Sequence, residues 1–440
     1  MCPQLEVILG VFREVKMEVA TRLRSTLMRV MTSRGQQSRR HAIARLKRKL
    51  AGRPPCVHYF HEVSDPYSHL AVQKLDELQN KYDIAFEVHL TSSTEDPYRG
   101  DASRYYQWAL NDAISIASYY GVTLSPSAKQ PEDGQVRTVE NELSGLLSSS
   151  DFAATAIRLG ESLWSGQVES AEDKSPNEVV VAGNTQRADW GHYAGGTFYF
   201  EGEWYLSVDR LYLLEERLLN EGYGSGPICV PRPTPSDKDV DASSVTLEYF
   251  PSLRSPYTAI SFDRTMAIVD RTGVNLKIRP VMPMMMRGVP APREKGMYVL
   301  TDSAREARAA GEDFGKIVDP FGEPVKRAFS LLPFVVDQGK TREFVGRYLD
   351  AAWKEGVDVT QDSGLEKVIS EIGLDWSAAK NSMANNAGEG MLEDNVNDML
   401  SEGLWGVPSF RVTSDETEAL SCWGQDRLWL VEQAIKDRAA

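Results

Sequence analysis

The apolar positions along this chain change period in a fixed order, and they do so twice. In "YFHEVSDPYSHLAVQKLDELQNKYDIAFEVHL", residues 59–90, a short apolar run leads through a turn carrying a proline into apolar residues at helical spacing. The stretch ends in the alternation "IAFEVHL". "YFPSLRSPYTAISFDRTMAIVDRTGVNLKIRP", residues 249–280, repeats that order at an offset of 190 residues without a gap, so Tyr59 and Phe60 meet Tyr249 and Phe250, and Pro66 and Tyr67 meet Pro256 and Tyr257. A run, a helical period and an alternating run predict strand, helix and strand, a βαβ unit whose strands are parallel with a right-handed crossover.

A second pair of similar stretches closes each copy. "GGTFYFEGEWYLSVDRLYLLEERLL" begins at Gly195, and "VPSFRVTSDETEALSCWGQDRLWLVEQAI" begins at Val407, with Asp209-Arg210-Leu211 facing Asp426-Arg427-Leu428. Each reads as a hairpin followed by a helix. The intervening residues are mostly helical in pattern, as in "SAREARAAGEDFGKI" and "TREFVGRYLDAAWKEG". The expected architecture is therefore α/β, two tandem units each built as βαβ, helical insert, then ββα. Residues 54–221 form the first unit and 245–440 the second. The stretch "GYGSGPICVPRPTPSDKDVDASS", 222–244, is rich in Pro, Gly, Ser and Asp and reads as the linker.

Charge divides the chain differently. Residues 1–53 hold 13 Lys and Arg against three Glu, leaving 36 Lys and Arg against 60 Asp and Glu for the rest. An acidic body with a basic helical leader argues against nucleic acid as the main partner. Leu23, Leu27, Val30 and Met31 stand at helical spacing in the leader, which suits either contact with an anionic membrane surface or a helix folded back on the acidic body; the second is the expectation. At 440 residues with 42% hydrophobic residues, the chain can fill two or three cores. No apolar run approaches the roughly 20 residues of a membrane helix, and the amino terminus lacks the features of a secretory signal, so a cytoplasmic location is expected.

Candidate chemistry is sparse. Cys2, Cys56, Cys229 and Cys422 form neither a CxxC pair nor a zinc spacing, and no metal site is expected. Cys422 has no basic neighbour to activate it and reads as a buried structural residue. All six histidines precede residue 193, and His58 and His61, three apart on a strand, point to opposite faces. There is no phosphate-binding or dinucleotide fingerprint. Ser255 before Pro256 is a good helix N-cap, with proline suited to the first helical position.

"YFPSLRSPYTAI" resembles the opening of the 2-hydroxychromene-2-carboxylate isomerases and the related kappa-class glutathione transferases, a group within the DsbA-like thioredoxin-fold family. "PREKGMYVLTD" at 292–302, "GLWGVPSF" at 403–410 and "WGQDRL" at 423–428 resemble later segments of that family in the right order, together covering residues 245–436. The resemblance implies glutathione as cofactor, with the Ser255 hydroxyl facing its sulfur at a helix amino terminus, where partial positive charge stabilises a thiolate. It further implies that Val407, ahead of a cis Pro408, pairs its backbone with the cysteinyl part, that Gln425 and Asp426 hold the γ-glutamyl end, and that Lys295 meets a glutathione carboxylate. The implied activity is isomerase or transferase chemistry by thiolate addition to an electrophilic, aromatic or otherwise hydrophobic substrate. "VMPMMMRG", 281–288, would enter the insert near such a substrate, although methionines more often fill core gaps. The alternatives are a noncatalytic binding protein of the same fold and a DsbA-type thiol oxidoreductase, the latter opposed by the missing CxxC. This sequence departs from the family pattern at Pro251-Ser252, where an aspartate is usual. In the first unit Asp65 holds the place of Ser255 and Gly196 that of Pro408; a carboxylate there repels a thiolate, so the first unit reads as structural or regulatory. Fusing two units that relatives pair as separate chains points to a monomeric pseudo-dimer.

Overall fold

The computed structural model describes residues 21–94, 102–172, 175, 177–289, 291–383 and 388–439. They divide into two compact units. The first comprises residues 38–233 and 291–298; the second comprises 21–37, 234–289 and 299–439. Among the described residues no helix is long and apolar enough to cross a membrane.

The first unit is built on strands β1 (Cys56–Glu62), β2 (Ala85–Thr91), β3 (Thr197–Phe200) and β4 (Glu203–Leu206) in the order β2-β1-β3-β4. β1 is parallel to β2 and antiparallel to β3, which forms a hairpin with β4. β1 is central and becomes fully buried towards its carboxyl end, whereas the edge strand β2 keeps the alternation visible in its sequence. Helices Ala102–Ala117, Asp133–Ser144, Phe152–Trp164 and Glu178–Asp189 lie between β2 and β3, and Leu211–Asn220 follows the hairpin.

The second unit repeats this plan with β5 (Thr246–Phe250), β6 (Asn275–Ile278), β7 (Ser409–Thr413) and β8 (Leu420–Trp423) in the order β6-β5-β7-β8. β5 is parallel to β6 and antiparallel to β7. Its insert is longer, running from helix Arg293–Ala310 to Gly388–Ser401, and the closing helix is Leu428–Ala439. The core gathers Leu247, Tyr249, Phe329, Phe344, Tyr348 and Phe410. Tyr249 and Phe410, cross-strand partners, stack at 5.1 Å.

Each first crossover helix is interrupted, a difference from the continuous helix read from the sequence. It runs as Pro66–Val72 and Leu75–Lys81 in the first unit, and as Pro256–Ala259 and Phe262–Thr272 in the second. In the second, the Ser261 hydroxyl donates back to the Tyr257 carbonyl at 2.7 Å, a local bond that competes with the helical ladder at the break.

The leader is helical over the described residues 21–32 and Arg34–Leu50, broken at Ser33. It folds against acidic groups, but through a different face from its apolar stripe. In the second unit Thr21 donates to Asp358 at 2.6 Å, and Ser25 and Thr32 are buried. In the first unit Arg45 and Arg48 reach the buried Glu201 at 3.1 and 2.6 Å. Leu23, Leu27, Val30, Ile43, Leu46 and Leu50 stay exposed. Met28, on the same side as Ser25 and Thr32, packs on the second unit's core, so the docking face combines hydrogen bonds, ion pairs and one apolar contact.

Candidate functional site

In the second unit the chain leaves β5 at Phe250 and turns through residues 251–255 into the helix at Pro256. Ser255 has extended backbone angles and its Oγ accepts the amide of Thr258 at 3.1 Å. It is 6% exposed. The cap uses one lone pair of the hydroxyl, so the hydroxyl proton remains for a second partner.

The sheet places Pro408 beside this turn. Phe250 pairs with Ser409, so Pro408 stands one residue beyond the end of β5, where the 251–255 turn begins. The Val407–Pro408 peptide bond is cis, and the Pro408 carbonyl accepts the Gly424 amide at 2.9 Å. Gly406 is required by packing, since a Cβ there would run into the Trp423 ring.

The first unit has the same arrangement with different residues. Phe60 pairs with Thr197, which puts Gly196 in the register position of Pro408, and the Gly196 carbonyl accepts the Ser207 amide at 2.7 Å. A Cβ on Gly196 would lie 2.9 Å from Asp65 Oδ2, so this strand end touches the helix cap directly. Asp65 accepts the Ser68 amide at 2.9 Å and the Ser68 hydroxyl at 3.0 Å. Its charge is spent on capping. Nearby, burial pushes the Glu140 carboxyl up to about 7, with the neighbouring Glu62 charge acting in the same direction and Arg137 opposing.

The Gly424–Pro408 hydrogen bond and the Ser409–Trp423 pairing bring Val407 and Pro408 next to the turn that carries Gln425 and Asp426. Gln425 is buried and committed within the second unit, where its amide oxygen accepts from Arg264 at 2.7 Å and its amide nitrogen donates to Glu306 at 2.7 Å. Asp426 is half-buried in the turn ahead of the last helix, its carboxylate close over Gly424. Val407 is half-buried. Lys295 falls in the stretch 291–298 that groups with the first unit, where Tyr298 packs on His192 at 5.0 Å. Burial pulls its ammonium down to about 8. Met282 and Met286 pack on the second unit's core, and Met285 is 37% exposed beside Arg254. Cys422 is buried in β8.

Sequence reasoning missed Tyr257 and Asp302. The Tyr257 hydroxyl donates to Asp302 at 2.7 Å, and Arg305 grips the same carboxylate at 2.6 Å. Tyr67 makes the matching bond to Asp112 at 2.6 Å in the first unit. Both pairs obey the offset of 190, which was the available signal.

The family model for the DSBA-like thioredoxin domain matches residues 246–436. This stretch is a DSBA-like thioredoxin domain. The match begins at β5 and ends in the last helix, so the Ser255 turn, Pro408 and the helical insert all lie within the domain. Among solved structures, 2-hydroxychromene-2-carboxylate isomerase is 19% identical, with 44% of this chain and 95% of that chain covered and a TM-score of 0.37. A putative protein disulfide isomerase from Nitrosomonas europaea is 17% identical, covering 43% and 96%, at 0.35. The cytosolic disulfide reductase DsbM from Pseudomonas aeruginosa, solved with GSH, is 18% identical, covering 44% and 96%, at 0.34. No curated protein matches the chain.

Proposed function

We propose that the DSBA-like domain binds glutathione and directs its thiolate onto an electrophilic, aromatic or otherwise hydrophobic substrate, as an isomerase or transferase. The observation that carries this reading is Ser255: a capping serine, with a hydroxyl proton to spare, at the helix start that β5–β7 pairing brings next to Pro408. A sulfur seated there meets the positive end of the helix and a hydroxyl donor, both of which favour the ionised thiol. The thiolate adds to an electrophilic carbon. Later elimination returns glutathione with an isomerised product, and retention of the new C–S bond gives a conjugate. Val407 offers backbone pairing to the cysteinyl unit, and the Asp426 carboxylate a partner for the γ-glutamyl ammonium.

Calorimetric titration of glutathione into the full chain tests this. Saturable binding that weakens in Asp426→Ala supports it, and the absence of binding removes it. A second reading, a noncatalytic platform of the same fold, is favoured by one observation: the Gln425 amide is already engaged by Arg264 and Glu306.

A further inference from the structure

We propose that Cys56, His58, Glu87 and His89 of the first unit form a binding site for a zinc-like divalent transition-metal ion. No spacing along the chain announces it. The β1–β2 pairing creates it, because His58 lies opposite Glu87 and Phe60 opposite His89 in a parallel register. Side chains two apart on a strand share a face, so Cys56 and His58 on β1 join Glu87 and His89 on β2 over one patch of the sheet.

The distances suit one ion. His58 Nδ1 is 3.0 Å from His89 Nε2 and 3.5 Å from Glu87 Oε2, and His89 Nε2 is 3.7 Å from Glu87 Oε1. Ligand atoms of Cys56, His58 and Glu87 all lie within 4.8 Å of one another. Tetrahedral zinc with Zn–N bonds of about 2.0–2.1 Å sets its nitrogens about 3.3 Å apart, so the two imidazoles need only small adjustments. The carboxylate, 59% exposed on an edge strand, can rotate into place.

The surroundings hold the rings. Trp190 meets His58 edge-on at 4.7 Å, and Phe60 stacks on His89 at 4.6 Å. A thiolate, two imidazoles and one carboxylate form a soft to borderline set that fits zinc and disfavours magnesium and calcium, which take oxygen ligands. Ligands drawn from two adjacent strands point to a structural or sensory ion that ties β1 to β2, with Cys56, His58 and Glu87 already within 4.8 Å of one another and His89 beside them. The patch occupies the amino half of β1, whereas the Asp65 cap follows its carboxyl end, and the proposal stands independently of glutathione binding.

The test uses the full chain, stripped with a chelator, reloaded with zinc and passed through gel filtration. One equivalent of zinc per chain should be retained and should raise the melting temperature. Cobalt(II) in its place should show a thiolate-to-metal charge-transfer band with the intense visible bands of a tetrahedral site. Cys56→Ser should abolish the charge-transfer band and the melting shift while keeping the fold, and the His58→Ala/His89→Ala variant should lose at least tenfold in zinc affinity, read by competition with a chromophoric chelator. Cys229→Ser should change neither. Failure of the wild type to retain zinc, or a charge-transfer band that survives Cys56→Ser, overturns the site. The Cys56→Ser result decides the matter even where the histidine variant fails to fold.

Discussion

Gln425 donates to Glu306 at 2.7 Å across 119 residues of sequence, joining the turn before the last helix to the first helix of the insert. With Arg264 donating to its oxygen at 2.7 Å, the amide bridges a cation and a carboxylate inside the DSBA-like domain. Hydrogen bonds to charged groups contribute about 1.5–3 kcal/mol each. Gln425→Leu keeps the volume and removes both of these charge-assisted hydrogen bonds, so urea unfolding should show a loss of about 2–4 kcal/mol. A loss below about 0.5 kcal/mol would show that the bridge is inconsequential.

Ser255→Ala separates cap from chemistry. Losing the cap should cost about 1 kcal/mol in denaturant unfolding. If Ser255 also donates to the sulfur, the variant should raise the pKa of bound glutathione, read from thiolate ultraviolet absorbance against pH, and slow its addition to a model electrophile more than it weakens binding. Superimposable titrations in a protein that binds glutathione would reduce Ser255 to a cap.

Glu140 sets a pH dependence of known sign. Its folded-state pKa, raised to about 7, lies above the ordinary value, so the folded chain keeps a proton that the unfolded chain releases. Stability from this group is therefore present in acid and falls as the pH rises from the ordinary glutamate range through about 7, by up to about 3 kcal/mol. Glu140→Gln removes the dependence. Its stability relative to wild type should climb across that window and level off above it, as measured by urea unfolding at a series of pH values. A difference that stays constant with pH would mean that Glu140 ionises normally.

Deleting residues 1–50 should lower the melting temperature, because Glu201, 4% exposed, loses the guanidinium groups of Arg45 and Arg48 and keeps Arg217 at 3.7 Å. Removing most of the pairing of a buried charge costs up to a few kcal/mol. An unchanged melting point together with lost binding to anionic vesicles would instead assign the leader to a membrane surface, through the exposed Leu23, Leu27 and Val30 stripe.

By itself, the order of apolar periods along the chain determined that each half is βαβ, insert, ββα, since a strand and a helix each require their own spacing to bury one face. It also marked Ser255 as a helix cap, because capping depends on a few neighbouring residues, and through the repeat it set Asp65 against Ser255 and Gly196 against Pro408. Tertiary structure decided what depends on residues distant in sequence. Strand register put Pro408 next to the Ser255 turn and brought Cys56 and His58 to Glu87 and His89, a cluster hidden to a search along one strand. Side-chain packing drew Gln425 into a bridge with Glu306 and Arg264, and placed Lys295 with the first unit. The leader shows the difference most plainly: its apolar stripe was legible, but the face that docks holds Thr21, Ser25, Met28 and Thr32 with Arg45 and Arg48, because the partners of these side chains, Asp358, the core and Glu201, lie far away in sequence.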